Sequence, residues 1–123
     1  MSFRILIADD EPNILLVVSK RLTNKGYEVL TAPDGETADA MIREHRPDLI
    51  LLDVMMPGLS GVDLCRRIKS VPDLKSIPII LFSAMAQQED KEEGRKAGAD
   101  AYIIKPFDPV ELLATIEEYA TRR

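Results

Sequence analysis

Apolar residues in this chain gather into five short runs, at residues 3–8, 27–31, 49–52, 77–82 and 101–104, separated by segments whose apolar positions recur every three or four residues. Runs of this length rich in Ile, Leu and Val predict β-strands, and the intervening period predicts amphipathic helices. The first helix begins at Pro12, a residue tolerated in a first turn, carries Ile14, Leu15, Val18 and Leu22 on one face, and stops at Lys25-Gly26. Asp34 can cap a second helix that turns Ala38, Met41 and Ile42 inward and ends before Pro47. Ser60 with Asp63 resembles a capping box for a third helix with Gly61, Leu64, Cys65 and Ile68 buried. Residues 86–97 have helical character but few large apolar groups and many charges, so this fourth helix is expected to pack weakly and to be the movable element. Asp108-Pro109-Val110-Glu111 opens a last helix facing Leu112, Leu113, Ile116, Tyr119 and Ala120 inward.

Strand and helix thus alternate five times, the pattern of a doubly wound α/β fold with a parallel sheet. The run 49–52 is apolar on both faces, which suits a central strand covered by helices on each side. Each helix returns the chain to the starting edge, so all C-terminal strand ends lie together, at the edge where open α/β sheets bind ligands. Asp9 with Asp10, Asp53, Ser83, and Lys105 followed by Pro106 stand at those ends. No internal repeat, low-complexity tract or linker interrupts the pattern, and the loop at 72–78 has ordinary length, so residues 1–123 are expected to form one domain.

Composition narrows the function classes. The chain has 123 residues, 46% of them hydrophobic, enough for a core without metals or disulfides. With 30% charged residues and a net charge of −5, direct nucleic-acid binding and attachment to an anionic membrane are disfavoured. Cys65 has no second cysteine to pair with and reads as a small core residue, while His45, the one histidine, reads as a surface helix residue. The apolar run after Met1-Ser2-Phe3-Arg4 is too short for a signal peptide, and the expectation is a soluble, cytoplasmic protein.

The chemistry starts with Asp9, Asp10 and Asp53, which converge with Lys105 as their only nearby cation in the pattern. Two unit charges about 4 Å apart in an effective dielectric near 20 repel by roughly 4 kcal/mol, and a divalent cation relieves that repulsion. Oxygen ligands on loops suit Mg²⁺, and zinc lacks a Cys/His cluster here. A carboxylate beside such an ion is also a nucleophile toward phosphorus. Asp53, at the end of the central strand and before Val54-Met55-Met56-Pro57-Gly58, is the candidate. Lys105 would pair with one phosphoryl oxygen and the Ser83 hydroxyl would donate to another, so that Ser83 reports whether the group is present.

These residues resemble, in order and spacing, the receiver domain of two-component response regulators over essentially the whole chain. Ile7-Ala8-Asp9-Asp10-Glu11 is similar to the family's acidic pair, and the segment from Leu52 to Gly61 to its phosphoacceptor segment. Ser83-Ala84 resembles the switch hydroxyl and small residue, and the segment from Gly98 to Phe107 the aromatic switch and lysine-proline motif. The resemblance implies a flavodoxin-like (βα)5 fold with strand order 2-1-3-4-5. It implies phosphoryl transfer to Asp53 from a sensor histidine kinase or phosphotransfer protein, with Mg²⁺, or Mn²⁺ in its place, held by Asp10, Asp53 and the Met55 carbonyl and assisted by Asp9. It further implies a cis Lys105-Pro106 bond, inward movement of Tyr102 as Ser83 shifts, and a readout surface for a downstream protein on the fourth helix, fifth strand and fifth helix. The domain would catalyse only its own phosphorylation and dephosphorylation, as a monomer or a phosphorylation-promoted dimer.

Three rival functions remain to be weighed. A flavin protein would place hydroxyls, glycines and backbone N–H groups in its first phosphate loop, where Asp9-Asp10-Glu11 would repel phosphate. An aspartate-nucleophile phosphohydrolase usually has a second carboxylate two residues after the first, and that position is Met55. The nearest alternative is a phosphorylation-independent interaction module of the same fold, which the intact acidic set argues against. No recognisable output module follows the last helix, so output is expected through contact with another protein.

Overall fold

A computed structural model describes residues 2–122. Strands β1 (Arg4–Ala8), β2 (Glu28–Ala32), β3 (Leu49–Asp53), β4 (Ile79–Ser83) and β5 (Ala101–Ile104) alternate with helices α1 (Pro12–Asn24), α2 (Gly35–His45), α3 (Gly61–Lys69), α4 (Gln88–Lys96) and α5 (Pro109–Thr121). The strands form one sheet in the order β2-β1-β3-β4-β5, and every pairing is parallel.

Alternation along the strands divides the core into two layers. Ile5, Ile7, Leu49, Leu51, Ile80, Phe82 and Ile103 face Val18 and Leu22 of α1 and Leu112 and Ile116 of α5. Leu6, Ala8, Ile50, Leu52, Ile79 and Leu81 face Ala38 and Ile42 of α2 and Leu64, Cys65 and Ile68 of α3. All five residues of β3 are buried, which is why its sequence is apolar without alternation. Helix α4 differs: Gly94 is its one buried residue, packed beside Leu81 and the Tyr102 ring. The weak packing expected for this segment is therefore present.

Element limits differ from the sequence reading where hydrogen bonding overrides apolarity. β3 runs one residue further, through Asp53, which pairs with Phe82. β4 starts at Ile79 rather than residue 77, because the Ile77 N–H closes the preceding turn on the Leu74 carbonyl at 3.0 Å and Pro78 has no N–H to give. β2 starts at Glu28, since the Tyr27 N–H is still bonded to Leu22 of α1. Gly26, at φ +93°, makes the turn that a side chain would strain. At α3 half of the expected capping box forms: Ser60 Oγ accepts from the Asp63 N–H at 3.1 Å, while the Asp63 carboxylate pairs with Arg66 at 3.0 Å. Asp34 caps α2 as expected, accepting from the Thr37 N–H at 2.7 Å. No helix among the described residues is long and apolar enough to cross a membrane.

Candidate functional site

Parallel register sets the site. Asp53 ends β3, in the middle of the sheet, Asp9 follows the last residue of β1 beside it, and Lys105 follows the last residue of β5. The Asp9 N–H extends the ladder to the Ala32 carbonyl at 3.2 Å, and the Lys105 N–H reaches the Ser83 carbonyl at 2.8 Å. Strand alternation then aims the side chains: Asp9 continues the series of Ile5 and Ile7, Asp53 that of Leu49 and Leu51, and Lys105 that of Ile103, all on the α1/α5 side. Ser83 continues the series of Ile79 and Leu81 on the opposite side.

Asp9 is fully buried and Asp53 is 3% exposed, whereas Asp10 is open to solvent. One carboxylate oxygen from each of the three lies within 4.8 Å of the others. Lys105 Nζ donates to Asp9 Oδ2 at 2.9 Å and lies 3.5 Å from Asp53 Oδ2 and 3.7 Å from Glu11 Oε1. The other oxygens of the buried pair accept from backbone: Asp9 Oδ1 from the Glu11 N–H at 2.9 Å, and Asp53 Oδ1 from the Met55 N–H at 3.2 Å. The Phe82 ring, its centroid 4.9 Å from Nζ, holds the ammonium from below by a cation–π contact.

Burial pushes the Asp53 carboxyl up to about 6, and the neighbouring Asp9 charge adds to the rise; Lys105 and the Met55 N–H oppose it without cancelling it. Burial works against the Lys105 ammonium as well, but the hydrogen bond to Asp9 and the charges of Asp53, Asp9 and Glu11 outweigh it and hold its pKa above the ordinary lysine value. The centre is thus three carboxylates answered by one ammonium, with Asp10 on the water side. An all-oxygen donor set of excess negative charge, open on one face, fits a hard divalent cation such as Mg²⁺ that keeps part of its water shell.

Ser83 is buried, and its Oγ accepts from the Met85 N–H at 3.0 Å. The Met85 carbonyl accepts from the Tyr102 hydroxyl at 2.8 Å. Met85 therefore links the two residues read from sequence as switches, a backbone role with no side-chain signature. Phe82 and Glu11 carry no separate signal in the sequence: an aromatic inside a strand looks like core, and Glu11 looks like part of the acidic motif. The Lys105-Pro106 bond is cis. Cys65 is buried, with its thiol pushed up to about 11 mainly by burial, as fits a core residue. His45 sits at the end of α2, 3.4 Å from Glu44 and away from the carboxylates.

Grooves among the described residues flank the sheet. One of about 390 Å³, lined by Ile14, Val17, Lys105, Phe107 and Pro109, adjoins the carboxylates. A larger one of about 490 Å³ lies at the far edge between Arg46, Asp48, Asp100 and Arg122, and no residue of the cluster reaches it.

A sequence model of the response regulator receiver domain matches residues 5–117. The response regulator PleD of Caulobacter vibrioides is 46% identical over 117 residues, covering 94% of this chain and 26% of PleD. The phosphate regulon transcriptional regulatory protein PhoB of Pseudomonas aeruginosa is 44% identical over 118 residues, covering 96% of this chain and 52% of that protein. This chain therefore spans between about a quarter and about a half of these relatives. Among solved structures, the Vibrio cholerae chemotaxis protein CheY4 superposes with a TM-score of 0.91 at 34% identity, covering 97% of this chain and 99% of that one. With the strand order, the carboxylate cluster and these likenesses in agreement, the chain belongs to the receiver domain family of two-component response regulators.

Proposed function

We propose that residues 1–123 act as one phosphoacceptor unit in the cytoplasm, in which Asp53 takes a phosphoryl group from a sensor histidine kinase or a phosphotransfer protein. The observation that carries this is the placement of Lys105 Nζ against both buried carboxylates, 2.9 Å from Asp9 and 3.5 Å from Asp53, at the end of the central strand. Asp9, Asp10, Asp53 and the Met55 carbonyl would hold Mg²⁺ or Mn²⁺. Such an ion would neutralise charge on the phosphoryl oxygens during transfer.

Asp53 contributes the nucleophile. One of its carboxylate oxygens forms the new O–P bond as the bond from phosphorus to the donor histidine nitrogen breaks, and the electron pair leaves with the imidazole. Asp53 must be ionised to attack, and with its carboxyl near 6 it is mostly so at neutral pH. Lys105, released in part from Asp53, pairs with a phosphoryl oxygen and keeps Asp9 neutralised. Unlike an enzyme that turns over an external substrate, the domain catalyses only its own phosphorylation and hydrolysis.

Output follows from the Ser83–Met85–Tyr102 chain. A phosphoryl oxygen that accepts from the Ser83 hydroxyl would draw Oγ toward Asp53 and away from the Met85 N–H that donates to it, and movement of Met85 would shift the acceptor of the Tyr102 hydroxyl. Tyr102 packs beside Gly94 of the loosely held α4. The α4-β5-α5 face would thus change and with it the affinity for a downstream protein or a second copy of the domain. The test is intact mass after incubation with Mg²⁺ and acetyl phosphate. One added phosphoryl group, lost with Asp53→Asn and with EDTA, is expected; undiminished uptake by Asp53→Asn would remove Asp53 as the acceptor.

A further inference from the structure

Two helices that give no side chain to the carboxylate cluster press their first residues directly on the loop between β3 and α3. Gly61 opens α3, and a Cβ built on it would lie 2.2 Å from the Asp53 carbonyl oxygen and 3.0 Å from Val54 Cα. Gly35 opens α2, and its Cβ would lie 2.3 Å from the Leu59 carbonyl oxygen and 2.9 Å from Leu59 Cβ. Real Cβ atoms essentially never come closer than 3.0 Å to such neighbours. Neither glycine has a positive φ, so backbone freedom does not account for either; close approach does.

The loop is pinned at both ends by these contacts. At its start, the Gly61 N–H bonds to the Val54 carbonyl at 3.1 Å, closing residues 54–61 into a ring that begins one residue after Asp53. Near its end, Leu59 rests on the first turn of α2. That turn is itself fixed, by Asp34 capping the Thr37 N–H, and α2 is tied to α3 through Arg67, which pairs with Glu36 at 3.2 Å and Asp39 at 2.9 Å. Between the two pins lies Met55, whose N–H holds Asp53 Oδ1.

We infer that Gly35 is a positioning residue for phosphoryl transfer, because its missing side chain lets α2 seat Leu59 and so fixes the loop that orients Asp53. This rests on the reading of Asp53 as phosphoacceptor. An alanine at Gly35 must open the contact from 2.3 Å to at least 3.0 Å, and the backbone of α2 or of the loop has to give. Displacements of about 1 Å at reacting groups cost on the order of 10²-fold in rate, so a shift of this size transmitted in part is expected to cost about tenfold.

The experiment measures Mg²⁺-dependent phosphoryl uptake from acetyl phosphate, across donor concentrations, by wild type, Gly35→Ala, Asp34→Ala, Asp34→Ser and Ile42→Val. It adds amide NMR spectra of each in EDTA without donor. Gly35→Ala is expected to lose about tenfold in the saturating rate, and its Met55 and Leu59 amides to shift. Asp34→Ala, which frays the same turn, is expected to lose a smaller factor, restored by the capping residue in Asp34→Ser. Ile42→Val, which weakens the same helix from its core side, is expected to keep the wild-type rate and spectrum at the loop.

Wild-type rates and unshifted loop amides in a folded Gly35→Ala overturn the inference. If that variant does not fold, a wild-type rate in Asp34→Ala does the same. No uptake by wild type defeats the phosphoacceptor reading instead, and the amide shifts, which need neither donor nor metal, still decide whether Gly35 seats the loop.

Discussion

Removing the charge of Asp53 should stabilise the fold, and by an amount that depends on pH. Its carboxyl is moved from an ordinary 3.8 to about 6 by burial and by Asp9. At about 1.4 kcal/mol for each pH unit, holding it ionised in the folded protein costs about 3 kcal/mol at pH 7 and above. The sign follows from proton counting. Between about pH 4 and 6 the folded chain holds a proton there that the unfolded chain has lost, so this contribution to stability falls as pH rises through that window. Below it, both states carry the protonated acid and nothing is lost.

Asn at this position is close to the neutral acid in shape and has no charge to desolvate. Asp53→Asn is therefore expected to match the wild type near pH 4 and to exceed it by about 2–3 kcal/mol at pH 8, in EDTA. Urea denaturation followed by far-ultraviolet circular dichroism at both pH values measures the difference. The assignment of this strain to Asp53 fails if the variant is no more stable at pH 8, or if its advantage is the same at pH 4. Added Mg²⁺ should raise the wild-type midpoint at pH 8 and narrow the gap, since a ligand bound only by the folded state stabilises it.

The two faces of β3 should prove equally sensitive to truncation. Leu51→Ala, facing α1 and α5, and Leu52→Ala, facing α2 and α3, are each expected to cost about 2–5 kcal/mol in the same denaturation assay. Lys105→Met should leave the fold intact but move the Asp53 carboxyl above about 6, since Lys105 lowers it in the native site. A carbon-detected NMR titration reads that direction, and an unmoved or lower value would contradict the ion pair at 3.5 Å.

Strand ends were the most legible part of the sequence because parallel wiring leaves few alternatives. Five apolar runs separated by helical periods give one sheet edge, and chemistry-bearing residues placed after those runs have to meet there. Which of them touch was not legible from type alone. Ser83 belongs to the edge, its parity with Leu81 places it on the α2/α3 side of the sheet, and its Oγ accepts from the Met85 N–H. The Met85 link, the Phe82 ring under Lys105 and the close approach of Gly35 depend on backbone positions or on which neighbour a side chain meets. The start of β4 is hidden for a similar reason: Ile77 is apolar, but its N–H is already committed to a turn.

Strand parity also separates the charged cluster from the Ser83–Met85–Tyr102 chain. Asp9, Asp53 and Lys105 extend the apolar series that faces α1 and α5, while Ser83 and Tyr102 sit with the layer that leads to α4. Burial and the Asp9 charge hold the Asp53 carboxyl above its ordinary value, and β3, buried on both faces, carries that charge. α4 cannot resist in the same way, since Gly94 is its one buried residue. A change in charge at Asp53 therefore meets a rigid strand on one side and a loosely packed helix on the other. If Asp53 is the acceptor proposed above, displacement is to be sought in α4 and Tyr102, reached through Met85, rather than in β3.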